Sequence, residues 1–332
     1  MKTAAIIGAG GWGTALAISL ARNFETIRLW VYEPELLRTL CRTRGNDLYL
    51  PGYFLPKNVH PTDSFPVALQ GAELVVSVVP SQYLRAVWQQ MLPCLDRQQI
   101  IVSATKGLEA GTALRMSEVI QEVVQPKFTP KLAVLSGPTF AREIVRGAPA
   151  AVVIASPDEA LAQQMQKQLA SPTFRLYTNT DVVGVELGGA VKNVIAIAAG
   201  VCEGLELGSS AVAAVITRGL SEITRLACAL GARRETMYGL ACLGDLVLTC
   251  TGALSRNHRV GVELGRGKRL PEILASLRMV AEGIPATAAT LQLARQQGIE
   301  MAITEQMYAL LYENRPPRDA VRELMERSLR AE

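Results

Sequence analysis

"AAIIGAGGWGTALAISLARN", residues Ala4–Asn23, decides how the first half of the chain is read. Gly8, Gly10 and Gly13 stand in G-x-G-x-x-G spacing, a weak pattern on its own. Here the apolar run Ala4–Ile7 precedes the glycines, and Leu16, Ile18, Leu20 and Ala21 mark a helix after them. In a strand, tight turn and helix of this kind, Gly8 permits the turn and Gly10 lets a pyrophosphate approach the backbone. Gly13 lets helix and strand pack closely. The amides of Gly11 and Trp12 then sit at the positive end of the helix dipole, where phosphates bind. The stretch predicts a dinucleotide-binding loop.

Outward from it, short aliphatic runs alternate with amphipathic ones. Strands are predicted at Ala4–Ile7, Ile27–Val31, Leu74–Val79, Ile100–Ser103, Leu132–Ser136, Ala151–Ala155 and Phe174–Tyr177, with helices such as Thr14–Asn23, Gln82–Met91, Leu114–Val124 and Asp158–Leu169 between them. That alternation implies an α/β, Rossmann-type, doubly wound and mainly parallel sheet. Beyond Asp181 the runs Val185–Cys202, Ser210–Leu230, Leu270–Leu277, Thr287–Gln297, Thr304–Glu313 and Arg318–Arg327 carry helical periodicity. We therefore expect an NAD(P)-binding domain over 1–180 and an all-helical substrate and catalytic domain over 181–332.

Composition narrows the class. Hydrophobic residues make up 49% and charged residues 19%, as in a compact globular chain. The net charge of +4 is spread out, so no basic block points to nucleic acid. Six scattered cysteines without a CxxC pair, and only two histidines, predict no metal site and buried thiols in a reducing cytoplasm. Glycines interrupt the apolar N-terminus, and no run reaches the about 18 apolar residues of a span, so no membrane insertion is expected.

Three polar constellations stand out. Eight lysines face 26 arginines, so each lysine position is informative. Lys106 follows the strand Ile100–Ser103, and Gly137, Pro138 and Thr139 follow Leu132–Ser136. Ligands of open α/β sheets bind outside such carboxyl ends. Lys192, with Asn193, interrupts the small and aliphatic stretch Gly188–Cys202, and a desolvated lysine can donate or accept a proton near neutrality. Asp245 sits in an apolar stretch and calls for a cationic or hydrogen-bonding partner, and Ser255, Arg256 and Asn257 form a donor-rich run suited to phosphate. At the end of the second strand, Glu33 fits the ribose hydroxyls of NAD, while Arg38 and Arg42 could reach the 2′-phosphate of NADP.

The blocks "GAGGWGTALA", "ATKGLE", "SGPTFARE", "GVELGGAVKNVIAIAAG", "ITRGLSE", "CLGDLVLTCTG", "SRN" and "VAEG" together resemble bacterial NAD(P)-dependent glycerol-3-phosphate dehydrogenase, from the first strand to about Glu305. The resemblance implies a helical domain similar to that of 6-phosphogluconate dehydrogenase and a homodimer or similar assembly. It also implies reversible reduction of dihydroxyacetone phosphate to sn-glycerol 3-phosphate for phospholipid synthesis. Carried to matching positions, Lys192 is the proton donor and acceptor, and Lys106, Gly137, Thr139, Asp245, Ser255, Arg256 and Asn257 contact the phosphorylated substrate. Gly11, Trp12, Tyr32, Lys106, Ala141, Arg256, Val280 and Glu282 contact the cofactor. The family often has Arg or His at the place of Tyr32 and Asp at that of Glu33, which leaves NAD and NADP both open. A dehydrogenase of the same architecture acting on a hydroxy acid or sugar acid, and a non-catalytic dinucleotide sensor, are the competing readings.

Overall fold

The computed structural model describes residues 1–276 and 281–328. By internal contacts the chain divides into two units: Met1–Lys106 with Leu114–Val185, and Gly107–Ala113 with Glu186–Glu332.

In the first unit the strands are β1 (Thr3–Ile7), β2 (Thr26–Trp30), β3 (Gly45–Asn46), β4 (Leu50–Phe54), β5 (Val59–Thr62), β6 (Leu74–Ser77), β7 (Ile100–Ser103), β8 (Lys131–Ser136), β9 (Ala150–Ala155) and β10 (Phe174–Asn179). Eight of them form one sheet in the order β10-β9-β8-β7-β6-β1-β2-β5, while β3 and β4 pair separately. Every pairing in the large sheet is parallel except β8 with β9. Alternate residues of the central strands feed two cores. Ala4, Ile6, Leu74, Val76, Ile100 and Val102 join Leu16, Leu20, Leu161 and Met165 on one face. Ala5, Ile7, Val75 and Ile101 join Leu84, Trp88, Ile120 and Val124 on the other. Burial of both strand faces under helices is why these strands read as continuous apolar runs.

The expected strands and helices of this unit are all present, with ends shifted by a few residues. The sequence reading passed over helix Pro34–Thr43, the β3–β4 hairpin and β5. The last two are short, and Pro51 and Pro61 within them argue against strands.

The second unit is helical. Its central element, Val182–Gly204, is long and apolar enough by length and composition to cross a membrane, with a mean hydropathy of 1.6 over an 18-residue window. This corrects the expectation that no run approaches such a length. Of that window, 89% is buried inside the protein, so the helix is apolar on all sides because it is a core helix. Helices Ser209–Ala229, Asp245–Thr251, Arg256–Gly265 and Gly283–Gln296 touch it, and Ala302–Tyr312 packs against Gly283–Gln296 and Pro317–Met325. The cysteines also divide differently from expectation. Cys202, Cys242 and Cys250 are buried, whereas Cys41 and Cys228 lie on exposed turns of their helices.

Candidate active site

The glycine loop lies at the carboxyl end of β1. Gly8 has φ of +116°, and a Cβ there would come within 2.8 Å of the Val78 carbonyl oxygen. A Cβ on Gly13 would lie 1.9 Å from the carbonyl oxygen of Gly8, so helix and strand touch through backbone. At Gly10 the space is open. The helix Gly11–Leu20 begins with no side-chain cap and no acidic residue in its first turn. Its first amides, those of Gly11 and Trp12 among them, are therefore left for an anion at the positive end of the dipole. These residues fit a dinucleotide pyrophosphate. Tyr32, 74% exposed, and half-buried Glu33 follow β2 at the neighbouring strand end.

Two further strand ends in the same unit carry predicted residues. After β7, Lys106 Nζ donates to the carbonyl oxygen of Gly137, which follows β8, at 3.1 Å. Thr139 Oγ1 donates to the same oxygen at 3.3 Å. Ala141 opens the next short helix, Ala141–Val145. Lys106, Gly137 and Thr139 are thus brought together at adjacent carboxyl ends, where sheets of this class bind ligands.

In the helical unit Lys192 is 5% exposed and Asp245 is 1% exposed. Taking both charges out of water is costly unless they meet, and they do, with Lys192 Nζ 3.1 Å from Asp245 Oδ1. Lys192 Nζ also donates to Thr249 Oγ1 at 2.5 Å, and Thr249 Oγ1 donates to the Asp245 carbonyl oxygen at 2.5 Å. Asp245 and Thr249 share a helix face one turn apart. Just before them Leu240–Gly244 forms a π-helical turn, a distortion frequent at functional sites. A Cβ on Gly188 would lie 2.5 Å from Cys242 Cβ, so this glycine lets the central helix approach that turn. Burial pushes the Cys242 thiol up to about 12, helped by Asp245 and opposed by Lys192. It does the same at Cys250, with Lys192 opposing and Asp245 adding, so neither thiol competes as an anion for the ammonium.

Beside Lys192, Asn193 reaches the third constellation. Gly283 N donates to Asn257 Oδ1 at 2.9 Å, which turns the Asn257 amide so that its Nδ2 donates to Asn193 Oδ1 at 2.9 Å. Asn193 Nδ2 is then buried with no hydrogen-bond partner among the described residues. A buried donor left unmade costs about 1–3 kcal/mol, so an acceptor brought beside it would be stabilised. Asn257 thus makes two internal bonds, and its amide nitrogen keeps a second N–H beyond the one given to Asn193. Ser255 is the N-cap of helix Arg256–Gly265, its hydroxyl accepting from His258 N at 3.2 Å. Arg256 is exposed at the first position of that helix, and half-buried Glu282 immediately precedes helix Gly283–Gln296. Val280 lies outside the described residues.

Thr249 escaped the sequence reading, although its spacing from Asp245 was a usable signal. Asn193 carries no signal in the sequence beyond its place beside Lys192. Its orphaned amide could not be read without the Asn257–Gly283 bond.

Comparison with known proteins bears on both units. A family model described as NAD-dependent glycerol-3-phosphate dehydrogenase N-terminus matches residues 3–162, and its C-terminus counterpart matches 181–322. A glycerol-3-phosphate dehydrogenase [NAD(P)+] of Koribacter versatilis is 57% identical over 329 residues, covering 98% of each chain. Its counterpart from a Geobacter species is 52% identical over 99% of this chain and 98% of its own. The crystal structure of glycerol-3-phosphate dehydrogenase from Coxiella burnetii superposes with a TM-score of 0.93 at 40% identity, covering 98% of this chain and 99% of that one. The glycine loop and the Lys192–Asp245 pair each fall inside one of the two matched segments, and the chain belongs to the NAD-dependent glycerol-3-phosphate dehydrogenase family.

Proposed function

We propose that this protein is an oxidoreductase that reversibly reduces dihydroxyacetone phosphate to sn-glycerol 3-phosphate with NAD(P)H, supplying the backbone of glycerophospholipids. The observation that carries the reading within the chain is the buried Lys192–Asp245 pair joined through Thr249. Gly8, Gly10, Gly11, Trp12 and Gly13 would hold the dinucleotide, with Tyr32, Lys106, Ala141, Arg256, Val280 and Glu282 as further contacts. Held there, a nicotinamide would supply the hydride chemistry of the reaction.

The chain's own residues do the rest. Lys192 as an ammonium stabilises the negative charge that develops on the carbonyl oxygen, then delivers its proton there; in oxidation it takes the proton back. Asp245 and Thr249 hold the Nζ atom in one place, which keeps the donor preorganised. Asn193 Nδ2 is a second donor for the substrate. Arg256, at the head of its helix and capped by Ser255, takes the phosphate, and Lys106 with Gly137 and Thr139 completes the substrate contacts. Binding energy spent on the phosphate orients the reacting carbon. The residue ranges 1–180 and 181–332 divide these roles into cofactor binding and catalysis. A cytoplasmic location and a homodimer complete the proposal on family resemblance, and sedimentation of the purified protein tests the dimer.

The test of the reaction is nicotinamide absorbance with dihydroxyacetone phosphate, run in parallel with NADH and NADPH. Oxidation of either is expected. Dinucleotide binding without turnover would keep the loop and reject the substrate.

A further inference from the structure

Glu33 occupies the N-cap position of helix Pro34–Thr43, yet its carboxylate makes no capping bond. Instead Tyr49 donates its hydroxyl to Glu33 Oε1 at 2.7 Å. Tyr49 lies between β3 and β4, and this hairpin is fastened to the glycine loop. Fully buried Asn46 donates from Nδ2 to the Ala9 carbonyl oxygen at 2.8 Å and to Thr14 Oγ1 at 2.7 Å. Asn46 Oδ1 accepts from Tyr49 N at 3.1 Å. The Tyr49 carbonyl oxygen stands 3.2 Å from where a Cβ on Gly11 would be. The carboxylate at the end of β2 is thereby tied to the loop that takes the pyrophosphate. Burial, then the bond to Glu33 and its charge, push the Tyr49 hydroxyl up to about 12, so it stays a donor at any working pH.

We propose that Tyr49 is a positioning residue that fixes Glu33 to accept from the adenosine ribose hydroxyls and so makes the protein prefer NADH to NADPH. The inference rests on the dinucleotide-binding reading above. Tyr49 engages Oε1 and leaves Oε2 to the ribose. A 2′-phosphate brings about 1.5–2 negative charges and no proton to donate, so beside a fixed carboxylate it is repelled. The candidate counter-charges are poorly set to relieve this. Arg38 is paired with Glu35 at 2.8 Å on the exposed face of its helix. Arg42 lies in the last turn, at the far end of the same helix.

The experiment titrates NADH and NADPH separately by nicotinamide fluorescence, without dihydroxyacetone phosphate, on the wild-type protein, Tyr49→Phe and Glu33→Gln. The kcat/KM of each cofactor is then measured with substrate. The wild type is expected to bind NADH at least about tenfold more tightly than NADPH. Loss of one hydrogen bond to a charged group in Tyr49→Phe should weaken NADH about three- to tenfold and leave NADPH within about twofold. Glu33→Gln should bring the two cofactors close to parity. Equal binding or an NADPH preference in the wild type overturns the proposal. So does a Tyr49→Phe protein that loses both cofactors alike, or neither. If Tyr49→Phe does not fold, the Glu33→Gln ratio alone decides. Binding of NADH without turnover rejects the substrate and still reports this ratio, whereas failure to bind either dinucleotide overturns both readings.

Discussion

Fifty-seven residues separate Lys192 from Thr249, yet a hydrogen bond of 2.5 Å joins them in the buried cluster of the helical unit. The composition of Gly188–Cys202 alone announced that Lys192 needed partners, because an ammonium among small aliphatic residues is otherwise too costly. Asp245 announced the complementary need. Their pairing was legible as two unmet demands, whereas Thr249 and the orphaned Asn193 amide became visible only once backbone placed them. Replacing Lys192 with Met should leave dinucleotide binding intact and reduce turnover by roughly 10²–10⁴, the usual size of an acid–base contribution. Fluorescence titration and steady-state kinetics on one preparation check both halves. Turnover near the wild-type level would remove Lys192 from the chemistry.

Among the elements, the central helix Val182–Gly204 and helix Arg256–Gly265 meet through glycines. A Cβ on Gly200 would lie 2.0 Å from the His258 carbonyl oxygen, and one on Gly261 would lie 2.0 Å from that of Ile197. Backbone cannot yield as a side chain can, so Gly261→Ala must push the two helices apart. The expected cost is at least about 2 kcal/mol, read from denaturant unfolding, with catalysis impaired because the same crossing sets Asn193 against Asn257. Unchanged stability would contradict the close crossing. A second element-level device is Glu222, buried on helix Ser209–Ala229, whose carboxylate accepts from Ile303 N at 2.8 Å at the start of helix Ala302–Tyr312. Burial raises this carboxyl to about 7 from an ordinary 4.5, against the pull of the Ile303 and Thr304 bonds and of Arg225. The folded state therefore holds a proton that the unfolded chain releases. Its contribution is full below about 4.5 and is lost as pH rises through about 7. Stability should fall over that window, and Glu222→Gln should flatten the slope in urea titrations at successive pH values. An equal slope in both proteins would refute it.

At the scale of the molecule, the chain enters the helical unit twice. Residues Gly107–Ala113 leave the sheet-bearing unit after β7 and return before helix Met116–Val124. Gln292 Nε2 donates to the carbonyl oxygen of Gly111 at 2.9 Å, so this excursion is held by the unit it visits. A protein ending at Val185 would retain the whole sheet but strand that segment. Expressed alone, residues 1–185 should unfold several degrees below the corresponding transition of the full chain in calorimetry. An unchanged midpoint would show that the excursion contributes nothing. In the sequence only the change of pattern near Asp181 is legible, because a seven-residue passage carries no periodicity to betray it.

What the sequence determined by itself was whatever depends on local pattern. The strand–glycine–helix unit, the switch from alternating elements to helices after Asp181, and the lysines at strand ends all follow from spacing and side-chain type. Tertiary structure alone decided which polar groups answer one another: Thr249 for Lys192, Asn257 for Asn193, Tyr49 for Glu33. The physical reason is that a hydrogen bond or ion pair is fixed to within a few tenths of an ångström in space. Each of these partners is far away or unmarked in the chain, so only the packing of glycines, apolar faces and one small hairpin brings them within reach.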